Sequence, residues 1–404
     1  MNPATTPTTA WHIAVVGAGP VGLALALQAA RLMPHADITL FDARPAGHDV
    51  SADPRTLALS LGSVQFLQRL GVWPGSGDGA AEPILQVHVS QAPPSLPAAL
   101  GQAEVLIQAQ DLGVPQLGAV IVYGALLAPL QKAWDRAVAA QPHRLNSRFG
   151  TTVADILPVP GGVEVDSGTV EPFDLAVVAE GGLFAEQTRK PVVADYGQTG
   201  WVGTVTLEGA TPGMAFERFT RHGPAALLPL PKGAQGEQRA ALVWCVPSQD
   251  DPVRDLDDSQ RLAVLRTIFP PQAGRLLGLS PLKGFALGLN AERTLVRGRT
   301  VRIGNAAQTL HPVAGQGLNL GLRDVHELVH ALRWARDLDQ ALRRAEWARA
   351  GDRWATIATT DFLARSFTWK LPGAASARGL GLAALQAVPG ARDWLARRFM
   401  FGRR

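Results

Sequence analysis

The sequence predicts an α/β fold into which a mostly antiparallel β-sheet is inserted and which ends in a helical region. Three observations predict it. The first is an apolar strand pattern at residues 12–16, followed at once by a glycine-rich turn (Gly17, Gly19, Gly22), an apolar helical run over 23–32 and a second strand over 37–41 that ends in Asp42. The second is a strand, a loop punctuated by Gly and Pro, and a helix start within residues 299–325. The third is the stretch 191–291, where glycine motifs vanish and strand-length apolar pieces dominate. They divide the chain into a discontinuous Rossmann-like domain (1–81, 111–190 and 291–360), a second domain (82–110 and 191–290) and a tail (361–404).

Composition supports a two-domain globular chain: 404 residues, 47% hydrophobic and 18% charged, can bury a large core. The single cysteine, Cys245, excludes an intramolecular disulfide and a multi-cysteine metal site, and within the apolar run 240–246 it reads as a packed core residue. Residues 1–9 carry no basic side chain, and the apolar segment 13–30 contains Gly17, Gly19, Pro20 and Gly22. The expectation is no export signal, no membrane-spanning helix and a cytoplasmic protein. The formal charge is +4, but residues 361–404 hold eight Lys or Arg against two Asp, so the basic excess lies in the tail.

In chain order, the first glycine turn sits where a dinucleotide needs it. Gly17 makes the tight turn, Gly19 allows close phosphate approach, and Gly22 allows close helix packing. Asp42, twenty residues after Gly22, places a carboxylate within reach of ribose hydroxyls. Residues 53–60 (DPRTLALS) precede an amphipathic helix over 63–70, and 82–110 hold alternating pieces separated by a Pro-rich turn at 92–97. Residues 123–140 read as a helix. Residues 152–178 read as a β-meander with turns near Gly161 and Gly168, closing in Asp174, Glu180 and Gly181. Strands are expected over 200–207, 215–220, 225–230 and 239–246, and helices from 325 to about 369. A helix beginning near Gly317 points backbone N–H groups and a positive dipole end at an electron-rich ring.

The stretch 299–325 resembles the second FAD motif of the aromatic-ring hydroxylases related to para-hydroxybenzoate hydroxylase, usually written G-D-A-A-H-x-x-x-P-x-x-G-x-G-x-N. Gly304, Ala306, Ala307, Pro312, Gly315, Gly317 and Asn319 fit it, while Asn305 stands where Asp is usual and Gln308 where His is usual. That pairing, with the phrase TLHPVAGQGLNLG over 309–321, is similar to the ubiquinone-biosynthesis branch and within it to the hydroxylases of 2-polyprenyl-6-methoxyphenol. The phrase AFERFTRHGPAALLP over 215–229 resembles the same branch; its Arg218, Arg221 and His222 are either solvated loop charges, the plainer reading, or the lining of a phenol site. Residues 174–181 resemble the third family motif, D-x-x-x-x-A-D-G, with Glu180 in place of Asp.

The resemblance implies a flavoprotein monooxygenase with FAD in a permanent site, NAD(P)H (NADPH by resemblance) as visiting co-substrate, and O2 reacting through a C4a-hydroperoxyflavin with a lipid-soluble, polyprenylated phenol. The residues it assigns to FAD are Gly17, Gly19, Pro20, Gly22, Asp42, Arg55, Glu180, Gly181, Gly304, Asn305, Pro312, Gly315, Gln316, Gly317, Leu318 and Asn319. Arg55 would contact the flavin side. At residues 125 and 126, where the family often offers the flavin a polar group, Ala125 and Leu126 have none. No catalytic side chain is assigned, and neither His311 nor Gln308 is nominated. The inserted sheet is expected to cover the flavin and keep water out.

Rival classes are weighed on their own residues. His326, Glu327 and His330 satisfy H-E-x-x-H, but the helix already belongs to the FAD motif and no third ligand follows, so no metal is expected. No nucleic-acid module is visible. Two alternatives remain: a flavin-dependent prenyl-lipid oxidoreductase that inserts no oxygen, and a flavin-containing structural member of an assembly with other ubiquinone-synthesis proteins. In the tail, Ala391, Trp394, Leu395 and Phe399 fall on one helical stripe among cations, a pattern for either packing on the core or peripheral contact with the inner face of the membrane.

Overall fold

The computed structural model describes residues 11–51, 53–74, 79–95, 103–181, 187–368 and 373–402. Gly182, the end of the Pro-rich turn at 92–97 and the last two residues of the tail lie outside the described residues.

A six-stranded sheet forms the first layer, in the order Val296–Arg297, Thr300–Arg302, Leu175–Val178, His12–Val16, Asp37–Asp42, Leu145–Phe149. All neighbours are parallel except the first pair. Its central strands are nearly continuous apolar runs because helices cover them: Ile13, Val15, Ile38, Leu40, Leu175 and Val177 belong to one core. The helices Pro20–Leu32, Tyr123–Ala140 and Gly317–Leu332 pack together on it. Trp134 anchors the second of these, fully buried, with its indole N–H donating to Ser147 Oγ at 2.8 Å. The sequence puts residues 175–178 in the meander. In the structure the meander stops at Val170–Phe173, and Asp174 breaks the chain by accepting the His12 N–H at 2.8 Å, so Leu175–Val178 joins the parallel sheet instead.

The second large sheet has nine strands. Val192–Glu208, Gln238–Pro247, Pro224–Leu230 and Met214–Phe219 lie side by side and antiparallel, and Gln86–Gln91 then adds parallel to Met214–Phe219. Residues 82–110 therefore split. Ala81–Ile84 pairs with Gly118–Val122, in a small sheet with Thr56–Ser60, whereas Gln86–Gln91 and Glu104–Gln108 belong to the large one. Alternation gives the large sheet two faces. Phe216, Leu227, Leu242 and Trp244 point to one, which the helix Asp258–Ile268 covers through Leu265. Strand readings alone miss that helix, although Asp257 and Gln260 form a reciprocal capping box at its start. Cys245 and Leu287 point to the other face and pack against Leu310, Trp354, Ile357 and Ala364 of the elements around the second glycine motif.

The chain ends in the helices Leu338–Thr368, Ala374–Ala387 and Pro389–Phe401. The last one docks on the protein: Ala396 and Met400 are buried, a Cβ on Gly62 would stand 2.8 Å from the Met400 carbonyl, and Arg397 donates to the Leu112 carbonyl at 2.9 Å. The docked face is thus not the stripe the sequence suggests, and Trp394 remains outside it. No helix among the described residues is long and apolar enough to cross a membrane.

Candidate cofactor site

The first glycine turn is packed as tightly as its sequence implies. Gly17 donates its N–H to the Phe41 carbonyl at 2.8 Å and has φ +102°, in the left-handed region that favours glycine. A Cβ on Gly22 would lie 1.9 Å from the Gly17 carbonyl oxygen. The helix Pro20–Leu32 starts at Gly19 with no side-chain cap and no acid in its first turn, so its leading N–H groups are left for an anion. In front of it opens a cleft of about 880 Å³ lined by Gly17, Gly19, Asp42, Arg55, Glu180 and Gly181, all expected from sequence. Arg44, Tyr123 and Lys283 also line it, and sequence reasoning missed them.

The electrostatics of this cleft are mixed. Asp42 accepts from Ala18 N at 2.6 Å and from Arg44 N, Nε and Nη2 at 2.9, 2.8 and 3.0 Å. Burial works against its charge, but these donors outweigh burial and hold the carboxyl below its usual range. Glu180 is pushed the other way, by burial and then by the charge on Asp42. Burial likewise raises the Tyr123 phenol, whose ring lies 4.1 Å beneath the Arg55 guanidinium. Arg55 also pairs with Asp53 at 2.7 Å. Two arginines, each paired with a carboxylate, beside an uncapped helix start suit a pyrophosphate flanked by sugars.

The second motif meets the first behind the turn. Gly304 has φ +58°, and its Cβ would stand 3.1 Å from Val21 Cγ2; on Gly321 it would stand 2.8 Å from the same methyl. The two motif helices thus cross at Val21, and Gly321 is a packing requirement that the motif pattern does not include. Asn319 is buried and makes four hydrogen bonds: its Oδ1 accepts from Ser60 N (2.8 Å) and Ser63 Oγ (2.7 Å), and its Nδ2 donates to the Ala58 (3.1 Å) and Gly315 (2.7 Å) carbonyls. Its side chain is a clamp between strand Thr56–Ser60 and the helix start, which leaves its backbone N–H for a ligand. Gly317–Leu332 starts at Gln316, again without a side-chain cap. The Asn305 carbonyl accepts from Lys190 Nζ at 3.2 Å.

Pro312 opens a short 3-10 turn whose cap is the buried His311. Its Nδ1 accepts from Val313 N at 3.1 Å, which puts the proton on Nε2, and Nε2 donates to Gln198 Oε1 at 2.8 Å. Burial lowers His311 to about 4, so the ring is neutral. The bond to Gln198 ties the motif loop to the face of the nine-stranded sheet that helix Asp258–Ile268 does not cover. Arg218 lies on the opposite face, donating to the Ile268 carbonyl at 3.2 Å, and Arg221 donates to the His222 ring at 2.8 Å on the exposed side. Arg218 thus does not lie on the face held by the motif loop. His326 and His330 stack on each other at 4.1 Å on helix Gly317–Leu332, and the described residues contain no cluster of three potential metal ligands.

Two uncapped helix starts, both close-packed through glycine at Val21, fit a dinucleotide with an anionic pyrophosphate at its middle and an electron-rich ring at one end. Comparison with known proteins agrees. Residues 205–345 match a family model described as an FAD binding domain. The chain is 29% identical to the 3-demethoxyubiquinol 3-hydroxylase of Escherichia coli, covering 93% of this chain and 94% of that one. It is 30% identical to the ubiquinone hydroxylase UbiL of Rhodospirillum rubrum, covering 93% and 86%. Among solved structures, Klebsiella pneumoniae HpxO, complexed with FAD and uric acid, superimposes with a TM-score of 0.69 over 97% of both chains at 18% identity. The p-nitrophenol 4-monooxygenase PnpA of Pseudomonas putida gives the same TM-score over 98% and 99%, at 15% identity. The chain belongs to the FAD-dependent aromatic-ring hydroxylases, in the branch that contains the ubiquinone hydroxylases.

Proposed function

We propose that this protein hydroxylates the ring of a polyprenylated phenol of the 2-polyprenyl-6-methoxyphenol type, with NADPH as electron donor and O2 as oxygen source. The observation that carries the reading is the apolar sheet face of Ala226, Val243, Cys245 and Leu287, held against the second motif loop by the His311–Gln198 bond. A ring and its alkyl chain lying beside the half-buried Val243, at the edge of the cluster that Cys245 and Leu287 form with Trp354 and Ile357, would be shielded from water, as oxygen transfer to an aromatic carbon requires. FAD, when bound, supplies electron transfer and oxygen activation. The chain supplies the rest. The uncapped start at Gly317 stabilises negative charge on the ring system in front of it, by roughly 0.3–1 kcal/mol. Neutral His311 fixes the loop without placing a cation beside the substrate.

The test supplies holoenzyme and NADPH with short-chain 2-prenyl-6-methoxyphenol, and separately with a 3-demethoxyubiquinol analogue, under ¹⁸O2. One ¹⁸O atom in the product of the first compound, seen by mass spectrometry, is the expected result. Labelled product from the second compound alone would reassign the substrate. NADPH oxidation that proceeds without O2 would select an oxidoreductase that inserts no oxygen.

A substrate with a prenyl tail resides in lipid, and the last helices leave Leu380, Val388 and Trp394 exposed. We infer peripheral contact with a membrane there. Trp394→Ala is expected to lower the fraction that co-sediments with anionic liposomes about tenfold, since losing one buried apolar side chain costs roughly 1.5–3 kcal/mol. Equal sedimentation of the two proteins would place the contact elsewhere.

A further inference from the structure

Register decides which way each residue of strand Met214–Phe219 faces. Phe216 pairs with Leu227, and Leu227 with Leu242, on the face covered by helix Asp258–Ile268. Glu217 pairs with Ala226, and Ala226 with Val243, so Glu217 stands on the opposite face, the one tied to the second motif loop. On its other flank the partner is Val89. Among the described residues Glu217 has no hydrogen-bond or ion-pair partner. It lies near enough to Cys245 for its charge to add to the effect of burial in raising that thiol. Burial pushes the Glu217 carboxyl itself well above the usual range, although the residue is not fully enclosed.

A lone carboxyl among Val89, Ala226, Val243 and Cys245 is costly, and nothing in the fold repays it. The chemistry of the face does. Gln198, which holds the motif loop through His311, lies on strand Val192–Glu208, and Gln238–Pro247 and Pro224–Leu230 separate that strand from the one bearing Glu217. Three strand spacings are roughly 14 Å, and Gln198 stands four residues along the strand from Val202, the residue level with Glu217, so loop tie and carboxyl lie roughly 19 Å apart, a span longer than an aromatic ring.

We propose that Glu217 is the catalytic base of the ring hydroxylation, and this rests on the phenol-hydroxylase reading above. The phenol O–H bond breaks, the proton passes to a Glu217 carboxylate oxygen, and the electron pair stays on the phenolate, whose ring is then the stronger nucleophile toward oxygen. The proton leaves to solvent as product departs. A raised carboxyl has a proton affinity closer to that of a phenol, which makes it the better base. Cys245 is the titratable group that faces it from strand Gln238–Pro247. Its register neighbours are uncharged, and Arg218, next in sequence, projects to the other face.

The experiment compares wild-type holoenzyme, Glu217→Gln and Glu217→Asp, each first checked for bound FAD. Without the base the phenol must ionise by itself. E217Q should therefore hydroxylate roughly a hundredfold more slowly at neutral pH, and recover both as the pH rises and with a ring-fluorinated substrate whose O–H is more acidic. E217D should keep the wild-type shape of pH profile at a lower rate. Bound 4-nitrophenol gives the same answer without turnover: wild type should hold more of it as the yellow phenolate than E217Q at the same pH. Equal phenolate fractions, or an E217Q pH profile that matches wild type, would overturn the assignment. Wild-type protein that hydroxylates no phenol would instead overturn the reading on which it rests.

Discussion

Gly22→Ala is expected to yield a colourless protein of lowered stability, whereas Gly19→Ala should fold as the parent does and lose only its affinity for FAD. The two glycines differ in what surrounds them. The Cβ of Gly22 would sit 1.9 Å from the Gly17 carbonyl, a backbone atom that cannot rotate aside, and Gly17 is itself pinned at φ +102° against Ala179 and Glu180. Relief requires the helix Pro20–Leu32 to slide from the turn, at an overpacking cost of roughly 1–3 kcal/mol or more. That shift would carry the leading N–H groups away from the phosphate position. The Cβ of Gly19 would meet only the Tyr123 hydroxyl, at 3.8 Å, so the protein alone tolerates it. What would not tolerate it is a phosphate resting on the turn. Thermal melting of the apo proteins and the flavin absorbance of the purified ones measure the two effects separately. A Gly19→Ala protein that retains FAD with parental affinity would show that the pyrophosphate does not lie on this turn.

What the sequence revealed of this site was local. Strand, glycine turn, helix and acid stand within residues 12–42, and the structure gathers Gly17, Gly19 and Asp42 at one cleft because consecutive elements of a βαβ unit have only one way to pack. Helix Asp258–Ile268 was legible too, through Asp257 and Gln260, but apolar strand pieces on either side drew the eye. Arg44 could have been found as a cation two residues beyond the ribose acid. Glu217 could not. Its meaning depends on which face it occupies, and that depends on pairing across four strands, which no periodicity within 214–219 contains. Gly321 was hidden similarly, because Val21, the reason for its missing side chain, lies three hundred residues earlier in the chain.

The ionic network behind the second motif is equally long-range, and removing its centre should be among the most damaging single changes. Arg349 donates from Nε to Asp324 and from Nη1 to Asp352, both at 2.7 Å, and all three side chains are at least 95% buried. Arg323 joins Asp352 at 3.4 Å and donates to the Phe399 carbonyl at 2.8 Å. Gln308, at the departure from the family motif, donates to Asp324 at 3.3 Å and accepts from Arg353 at 2.6 Å. One cluster thus fastens the motif helix, the long helix Leu338–Thr368 and the C-terminal helix. Arg349→Met should destabilise the fold by about 3–5 kcal/mol, because it strands two buried carboxylates, and should weaken FAD retention with it.

The pH dependence has a definite sign. Burial alone would raise Asp352, but Arg349 and then Arg323 outweigh burial and hold it below its unfolded value. Its contribution is therefore complete above the unfolded carboxylate range, about pH 4, and is lost as the pH falls through the folded value. In Arg349→Met the main cation is gone, the carboxyl rises, and mild acid that protonates it relieves the variant. The stability gap between parent and variant, measured by urea unfolding, should therefore narrow from pH 7 toward pH 4. A gap that stays constant over that range would mean that Arg349 acts by filling space, and that its charge holds nothing together.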